Sequence, residues 1–87
     1  MESGILSIVA TPIGNLEDIT FRALRTLREA DYVLCEDTRV TGKLLKHYEI
    51  STQLKRYDAH ASGRTHESVL ADLAEGKHIA LVLTREH

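Results

Sequence analysis

Short apolar runs alternate with amphipathic stretches along the whole chain. Four runs rich in apolar and β-branched residues predict strands, the third of them the weakest, at residues 5–10, 32–35, 53–57 and 78–83. Apolar residues at helical spacing predict helices between them, over about residues 20–30, from Thr41 onward and after Gly63. Because helix-length connections separate the strands, we predict right-handed βαβ units and an α/β fold with a mostly parallel sheet and flanking helices.

Turn and capping residues set the predicted ends of these elements. Pro12 and Gly14 should interrupt regular structure after the first strand, Thr41 can cap the second helix, and Gly76 suits the position just past the third. In an open parallel sheet, ligands bind in the crevice outside the carboxyl ends of the strands. The candidate site therefore comprises four segments, at residues 11–15, 36–39, 58–63 and 84–87.

Composition narrows the class of protein. A chain of 87 residues with 43% hydrophobic residues predicts one small domain with one core. The single cysteine, Cys35, excludes an internal disulfide and lies in a predicted buried strand, which favours a reducing compartment. We see neither a bilayer-spanning apolar run nor a signal-peptide pattern, so we expect a cytoplasmic protein without membrane contact.

The charge balance argues against a strongly electrostatic nucleic-acid binder. The formal net charge is −2, whereas binding to a polyanion rests largely on clustered cations that release counterions. A loose basic group is present, for which solvated surface charge is the simpler interpretation: Arg39, Lys43, Lys46, Lys55 and Arg56.

Two loop motifs carry candidate chemistry, and each has a structural alternative. TPIGN at 11–15 places a glycine after a strand, where the backbone can approach a ligand closely, but a structural turn explains it equally well. It matches neither the dinucleotide nor the phosphate-loop glycine pattern, which argues against an unrelated nucleotide-binding domain. EDTR at 36–39 places two carboxylates and a guanidinium at the end of a strand, where they either orient a polar substrate or brace the turn as ion pairs.

The histidines offer little metal chemistry. The five histidines show no metal-ligand spacing, and only one cysteine is present, so we expect no metal site. His60 is the one histidine that we place at the carboxyl end of a strand, as a polar contact or proton carrier. An exposed loop histidine is the simpler interpretation.

Three motifs taken together resemble one family. They are VATPIGNLEDIT at 9–20, CEDTR at 35–39 and TGKLL at 41–45, and they resemble the ribosomal RNA small-subunit methyltransferase I family of the tetrapyrrole methylase superfamily. The resemblance extends over about residues 6–82. It implies a two-domain α/β enzyme, usually dimeric, that transfers a methyl group from S-adenosylmethionine to the ribose 2′-hydroxyl of a cytidine in small-subunit ribosomal RNA. Residues 1–87 would form an incomplete first domain, with the second domain absent.

The resemblance also implies roles for individual residues. In this superfamily the cofactor lies in the cleft between the domains, and the loop after the first strand helps to line it, which implies cofactor contacts at Pro12, Ile13 and Gly14. We expect substrate contacts at Asn15, Thr38, Arg39 and Lys43, the last two being able to hold RNA phosphate. The hydroxyl needs a proton acceptor, for which the candidates by position are Glu36, Asp37 and His60.

Two segments depart from the family pattern. Where the family has a His-Glu-His-Asn-like stretch, this chain has DAHA at 58–61, so only His60 matches. Where the family continues Ser-Asp-Ala-Gly-Thr-Pro after the fourth strand, this chain has LTREH at 83–87. We therefore expect the principal cofactor loop to be missing and the chain to be inactive alone. A non-catalytic remnant or interaction module that binds no cofactor is the alternative.

Overall fold

The chain folds as a four-stranded parallel sheet with helices on both faces. A computed structural model describes residues 4–12, 15–57 and 64–85. Its elements in chain order are β1 (Ile5–Pro12), a 3-10 turn (Leu16–Asp18), α1 (Phe21–Glu29), β2 (Tyr32–Cys35), α2 (Thr38–His47), β3 (Gln53–Arg56), α3 (Arg64–Ala74) and β4 (His78–Arg85). The strand order is β1-β4-β2-β3, and every neighbouring pair is parallel. The predicted fold class is confirmed, and the third strand lies at an edge.

Alternate residues of the central strands contribute to two apolar clusters, one on each face of the sheet. Val33 and Cys35 of β2 pack with side chains of α1 and α2, whereas Tyr32 and Leu34 pack on the other face, near α3. All four residues of β2 are buried, as expected for a strand covered on both faces. Helices α1 and α2 thus cover one face of the sheet, and α3 covers part of the other.

Capping side chains define where the first two helices begin. The Thr20 hydroxyl accepts a 3.0 Å hydrogen bond from the Ala23 N–H, which confirms the predicted start of α1. The prediction that Thr41 caps the second helix is wrong. Asp37 is the cap, because its carboxylate accepts a 2.9 Å hydrogen bond from the Arg39 N–H, and the helix begins at Thr38.

The first and last strands are longer than predicted. Their parallel register runs without interruption from Ile5 opposite His78 to Pro12 opposite Arg85, so each strand extends two residues beyond the expected end. The expectation that Thr11 and Pro12 would break the strand is therefore wrong. Proline is tolerated there because β1 is an edge strand and Pro12 is its last residue, where no ladder N–H has to be donated.

Candidate functional site at the carboxyl ends of the strands

Three strands end together at one side of the sheet. Since all of them are parallel, Pro12 of β1, Arg85 of β4 and Cys35 of β2 lie toward the same end, with β4 between the other two. Thr11 and Pro12 of TPIGN and the start of EDTR therefore lie toward the same end of the sheet, with β4 between them. Ile13, Gly14 and His60 lie outside the described residues.

A small cavity opens where β2, β4 and the start of α2 meet. Its volume is about 100 Å³, and it is lined by Cys35, Glu36, Asp37, Thr41, Val82 and Leu83. Pockets for drug-sized ligands measure roughly 300 Å³ or more. This cavity by itself is therefore too small to enclose a ligand of that size.

Asp37 has a structural task within this site. Its carboxylate caps α2 and also lies 3.5 Å from the Arg39 Nε. The Arg39 side chain is 89% exposed. The hydrogen bond from the Arg39 N–H lowers the pKa of Asp37. Desolvation opposes this effect, and the guanidinium charge and the Val40 N–H lower the pKa further. A carboxylate with a lowered pKa is a weaker proton acceptor. The contact between Asp37 and Arg39 is of the kind that the bracing interpretation of EDTR describes.

Cys35 and Thr41 form the buried floor of the cavity. Both residues are 2% exposed. Burial raises the pKa of the Cys35 thiol, with a smaller upward contribution from the Asp37 charge, while the nearby Thr41 hydroxyl lowers it. Despite that proximity, the Thr41 Oγ1 has no partner of hydrogen-bonding geometry among the described residues.

Sequence reasoning did not identify Thr41 as a site residue. The available signal was its position on α2, because Thr41 lies three and four residues before Leu44 and Leu45, on the face that packs into the core. A polar side chain on the apolar stripe of a helix is unusual, and this one faces a cavity.

The predicted substrate contacts fall into two groups. Asn15 caps the 3-10 turn, where its Oδ1 accepts a 3.0 Å hydrogen bond from the Glu17 N–H. Thr38, Arg39 and Lys43 lie within the first six residues of α2, and the latter two are exposed about one turn apart. Glu36 is exposed as well and lines the cavity. The structure thus brings the α2 residues and Glu36 together and places Asn15 after a different strand.

The loose basic group divides between the two faces of the sheet. Arg39, Lys43 and Lys46 project from α2, whereas the Lys55 Nζ lies 4.1 Å from the ring centroid of Tyr32, on the face that carries α3. A cation over an aromatic ring is stabilised by the ring quadrupole. Lys55 therefore does not share a face of the sheet with the α2 cations.

Other kinds of site find no support in the described ranges. Within residues 4–12, 15–57 and 64–85, no three histidine, cysteine, aspartate or glutamate side chains converge to hold a metal ion. No helix in this part of the chain has the length and apolarity to cross a membrane.

Comparison with known proteins identifies the family. The model of the tetrapyrrole (corrin/porphyrin) methylases matches residues 6–84, which include all the described helices and all but the first residue of β1 and the last residue of β4. The chain belongs to this family. The tetrapyrrole methylases are a family of methyltransferases.

Several curated tetrapyrrole methylases are similar to this chain. It is 54% identical over 93% of its length to the ribosomal RNA small subunit methyltransferase I of Halalkalibacterium halodurans, 60% over 79% to that of Erythrobacter litoralis, and 55% over 91% to that of a Synechocystis species. The resemblance recognised from the three motifs is confirmed. The chain spans 28%, 25% and 28% of the length of these relatives.

Proposed function

We propose that this chain forms the first part of an S-adenosylmethionine-dependent methyltransferase that acts on the ribose 2′-hydroxyl of a cytidine in small-subunit ribosomal RNA. The observation that carries the proposal is identity of 54–60% over most of the chain to proteins named ribosomal RNA small subunit methyltransferase I. The shared carboxyl end of β1, β4 and β2 supports it, because ligands of open parallel sheets bind there. A cytoplasmic location is consistent with such a substrate.

Methyl transfer to a hydroxyl requires two things of the protein: alignment of the reacting groups and a proton acceptor. S-adenosylmethionine, when bound, supplies an electrophilic methyl group on a positively charged sulfur. The protein has to hold the attacking hydroxyl in line with that methyl group and to receive the hydroxyl proton. We assign the contacts with the methyl donor to Pro12, Ile13 and Gly14, by analogy with the family.

Glu36 is the proton acceptor that the described geometry favours. The Asp37 carboxylate is engaged as the cap of α2 and has a lowered pKa, which weakens it as a base. Glu36 is exposed at the rim of the same cavity and does not have to hold a helix end. His60 stays a candidate from the motif alone.

The α2 cations suit a role in holding RNA rather than reading it. Arg39 and Lys43 are exposed on α2, where they can pair with phosphate without sequence preference. Thr38 and Asn15 complete the proposed substrate contacts. Asn15 would have to exchange the hydrogen bonds that it makes within its own turn.

We further propose that the 87-residue chain has no methyltransferase activity on its own. Displacement reactions gain most of their acceleration from the fixed alignment of donor and acceptor, and a cavity of about 100 Å³ provides little of that alignment. The test is transfer of a radiolabelled methyl group to small-subunit particles, with a full-length relative as positive control. Turnover by the 87-residue chain would show that it completes the site, for example as an oligomer.

A non-catalytic interaction module is the second candidate function, favoured by the same small cavity. Calorimetric titration with S-adenosylmethionine separates the two. Binding by the chain supports a methyltransferase half-site. If no heat is released at concentrations that saturate a full-length relative, the chain has no donor site of its own and the interaction module is favoured.

A further inference from the structure

The charged residues of the chain are unevenly distributed over the fold. Helices α1 and α2 together contain six of the eleven lysine and arginine residues but only one of the thirteen acidic residues, Glu29. The formal net charge of −2 is therefore the balance between a cationic pair of helices and a more strongly acidic remainder. Binding to a polyanion depends on the local cluster of cations, so the net charge does not exclude it at these two helices.

The cations of α2 form one row on the side of the helix that faces away from the sheet. Arg39, Lys43 and Lys46 are exposed and follow the spacing i, i+4, i+7. Thr41 and Leu44 are buried and mark the opposite side of the helix. At 1.5 Å per residue the row is about 10 Å long. Its direction is set by the buried side of α2, which packs into the core.

Helix α1 adds two arginines beside this row. Arg22 and Arg25 are exposed, while the leucines of α1 are buried against the sheet. Both helices contribute to the same apolar cluster, and the Arg28 Nη2 donates a 3.2 Å hydrogen bond to the Tyr48 carbonyl at the end of α2. The axes of packed neighbouring helices are about 8–10 Å apart. The outward residues of the two helices therefore form one cationic surface: Arg22, Arg25, Arg39, Lys43 and Lys46.

The charges of the cationic surface are not balanced within the described part of the chain. Among the described residues, no ion pair involves Arg22, Arg25, Lys43 or Lys46, and only Arg39 of the five contacts a carboxylate. Like charges three and four residues apart destabilise a helix, and the α2 row has both spacings. An anionic partner would remove this repulsion.

We propose that the cationic surface binds the phosphate backbone of double-helical ribosomal RNA and so docks the substrate beyond the target nucleotide. The choice of RNA as the anion rests on the proposed function. Phosphate needs only cations and hydrogen-bond donors, whereas the core of a protein–protein interface is depleted of charged residues. The cations project from the outer sides of two helices, which suits the exposed backbone of a duplex better than a single strand held in a groove.

The cationic surface adjoins the candidate site at one end. Each of the two helices follows a strand of the parallel sheet, so both begin at the carboxyl end where that site lies. Arg22 and Arg39 belong to the first turns, and Lys46 lies near the far end of α2. RNA bound along the surface therefore extends from the candidate site toward the opposite end of the sheet. Such contacts add affinity and orientation without reading sequence.

Paired substitutions on α1 provide the first test, with fluorescence anisotropy of the 87-residue chain and RNA duplexes of two unrelated sequences. Arg22→Ala combined with Arg25→Ala should reduce the slope of log K against log salt by about 2, equally for both duplexes. Arg22→Lys combined with Arg25→Lys keeps both charges and should keep the slope. The control is Lys55→Ala, which removes a charge from the other face of the sheet and should leave the slope unchanged. Circular dichroism checks that all variants are folded.

Three results of this experiment would overturn the proposal. They are an unchanged slope in the double alanine variant of α1, a reduction of the same size per charge in Lys55→Ala, and tighter binding to a single strand than to the duplex. None of them decides the proposed methyl transfer, because the contacts of α2 can hold a substrate without α1. The donor titration and the radiolabelled transfer assay test that function separately.

Stability without RNA provides the second test, because it reports whether the cations are free. Lys43→Gln removes one charge from the middle of the α2 row with little change in helix propensity. The thermal midpoint of this variant should exceed that of the wild type at low salt, and the difference should vanish near 1 M salt, where the Debye length is about 3 Å. A lower midpoint at low salt would show that an acidic group pairs with Lys43 in the folded chain. The cationic surface would then not be available to RNA, and the proposal would be overturned.

Discussion

The Tyr32 hydroxyl donates a 2.5 Å hydrogen bond to the Asp72 Oδ2 and so joins β2 to α3. The Lys77 Nζ lies 3.4 Å from the other carboxylate oxygen. Burial raises the pKa of Tyr32, and the hydrogen bond and charge of Asp72 raise it further. The hydrogen bond from Tyr32 in turn lowers the pKa of Asp72, with additional lowering by Lys77 and Lys55. This linkage holds α3 against a face of the sheet that is otherwise only partly covered.

Tyr32→Phe should destabilise the fold by about 1–2 kcal/mol, because it removes a hydrogen bond to a charged group while the ring stays packed. Urea denaturation measures the free energy of unfolding. The matched control is Tyr48→Phe, whose hydroxyl donates a 2.7 Å hydrogen bond to the neutral Leu16 carbonyl. If Tyr32→Phe costs no more than Tyr48→Phe, the linkage to Asp72 adds nothing beyond an ordinary hydrogen bond.

The lowered pKa of Asp72 predicts how stability responds to acid. A carboxyl group with a lower pKa in the folded state contributes stability that is fully present above its unfolded pKa of about 3.9 and is lost as the pH falls through the folded value. The free energy of unfolding should therefore decline below about pH 4. Asp72→Asn should flatten that decline, and Tyr32→Phe should flatten it partly. If the free energy of unfolding of Asp72→Asn declines as steeply with acid as that of the wild type, other groups such as Asp37 cause the acid sensitivity.

The sequence predicted those features that depend on local pattern. The helix-length spacing between apolar runs specified parallel strands, and Thr20 specified the start of α1. The start of α2 was misplaced because Asp37 and Thr41 are both good capping residues, and only the extended backbone of Asp37 decides between them. The lengths of β1 and β4 depend on their mutual register, which no local pattern contains.

The candidate site was predictable only in outline. Parallel strand direction follows from the helix-length crossovers, so EDTR and TPIGN could be assigned to one end of the sheet before any coordinates were known. The packing of α2 against β2 and β4 determines two features of the site: Asp37 caps α2, and Thr41 lies at the floor of the cavity. Tertiary packing of this kind is not encoded in the spacing of residue types.

Two glycines should respond to alanine in opposite directions. In α2, a Cβ on Gly42 would meet the Leu54 Cδ2 at 3.8 Å, an ordinary contact, so Gly42→Ala should stabilise the protein by about 0.5–1 kcal/mol. A Cβ on Gly4 would lie 2.1 Å from the Lys77 carbonyl oxygen, so Gly4→Ala should destabilise it by about 1–3 kcal/mol. Thermal and urea denaturation measure the change in the free energy of unfolding of each variant. A change of the same sign in both variants would contradict the packing described for one of the two glycines.

The Thr41 hydroxyl has no hydrogen-bond partner among the described residues, and this leads to a further prediction about stability. Thr41→Val preserves shape and removes a buried polar group without a hydrogen bond, so the free energy of unfolding should rise by about 0.5–1 kcal/mol. The control is Thr52→Val, which removes a 2.7 Å hydrogen bond to the Leu27 carbonyl and should destabilise by about 1 kcal/mol. Destabilisation of similar size in both variants would show that the Thr41 hydroxyl is satisfied in the folded protein.

The proposed RNA contacts of α2 predict a specific dependence on salt. If Arg39 and Lys43 each neutralise one phosphate, alanine at either position should weaken binding to small-subunit ribosomal RNA fragments and reduce the slope of log K against log salt by about 1. The effect should be equal for fragments of different sequence, because phosphate contacts carry no sequence information. Fluorescence anisotropy over a range of salt concentrations measures both quantities.

Lys77→Ala is the matched control for these RNA contacts. It removes the same charge, but Lys77 immediately precedes β4 and therefore lies at the opposite end of the sheet, where it pairs with Asp72 and Glu75. The slope of log K against log salt for Lys77→Ala should equal that of the wild type. If all three variants lose affinity equally, the binding reflects net charge alone. A chain that binds no RNA even at low salt would remove the α2 cations from the proposed substrate site, since one or two phosphate contacts are most visible where screening is weakest.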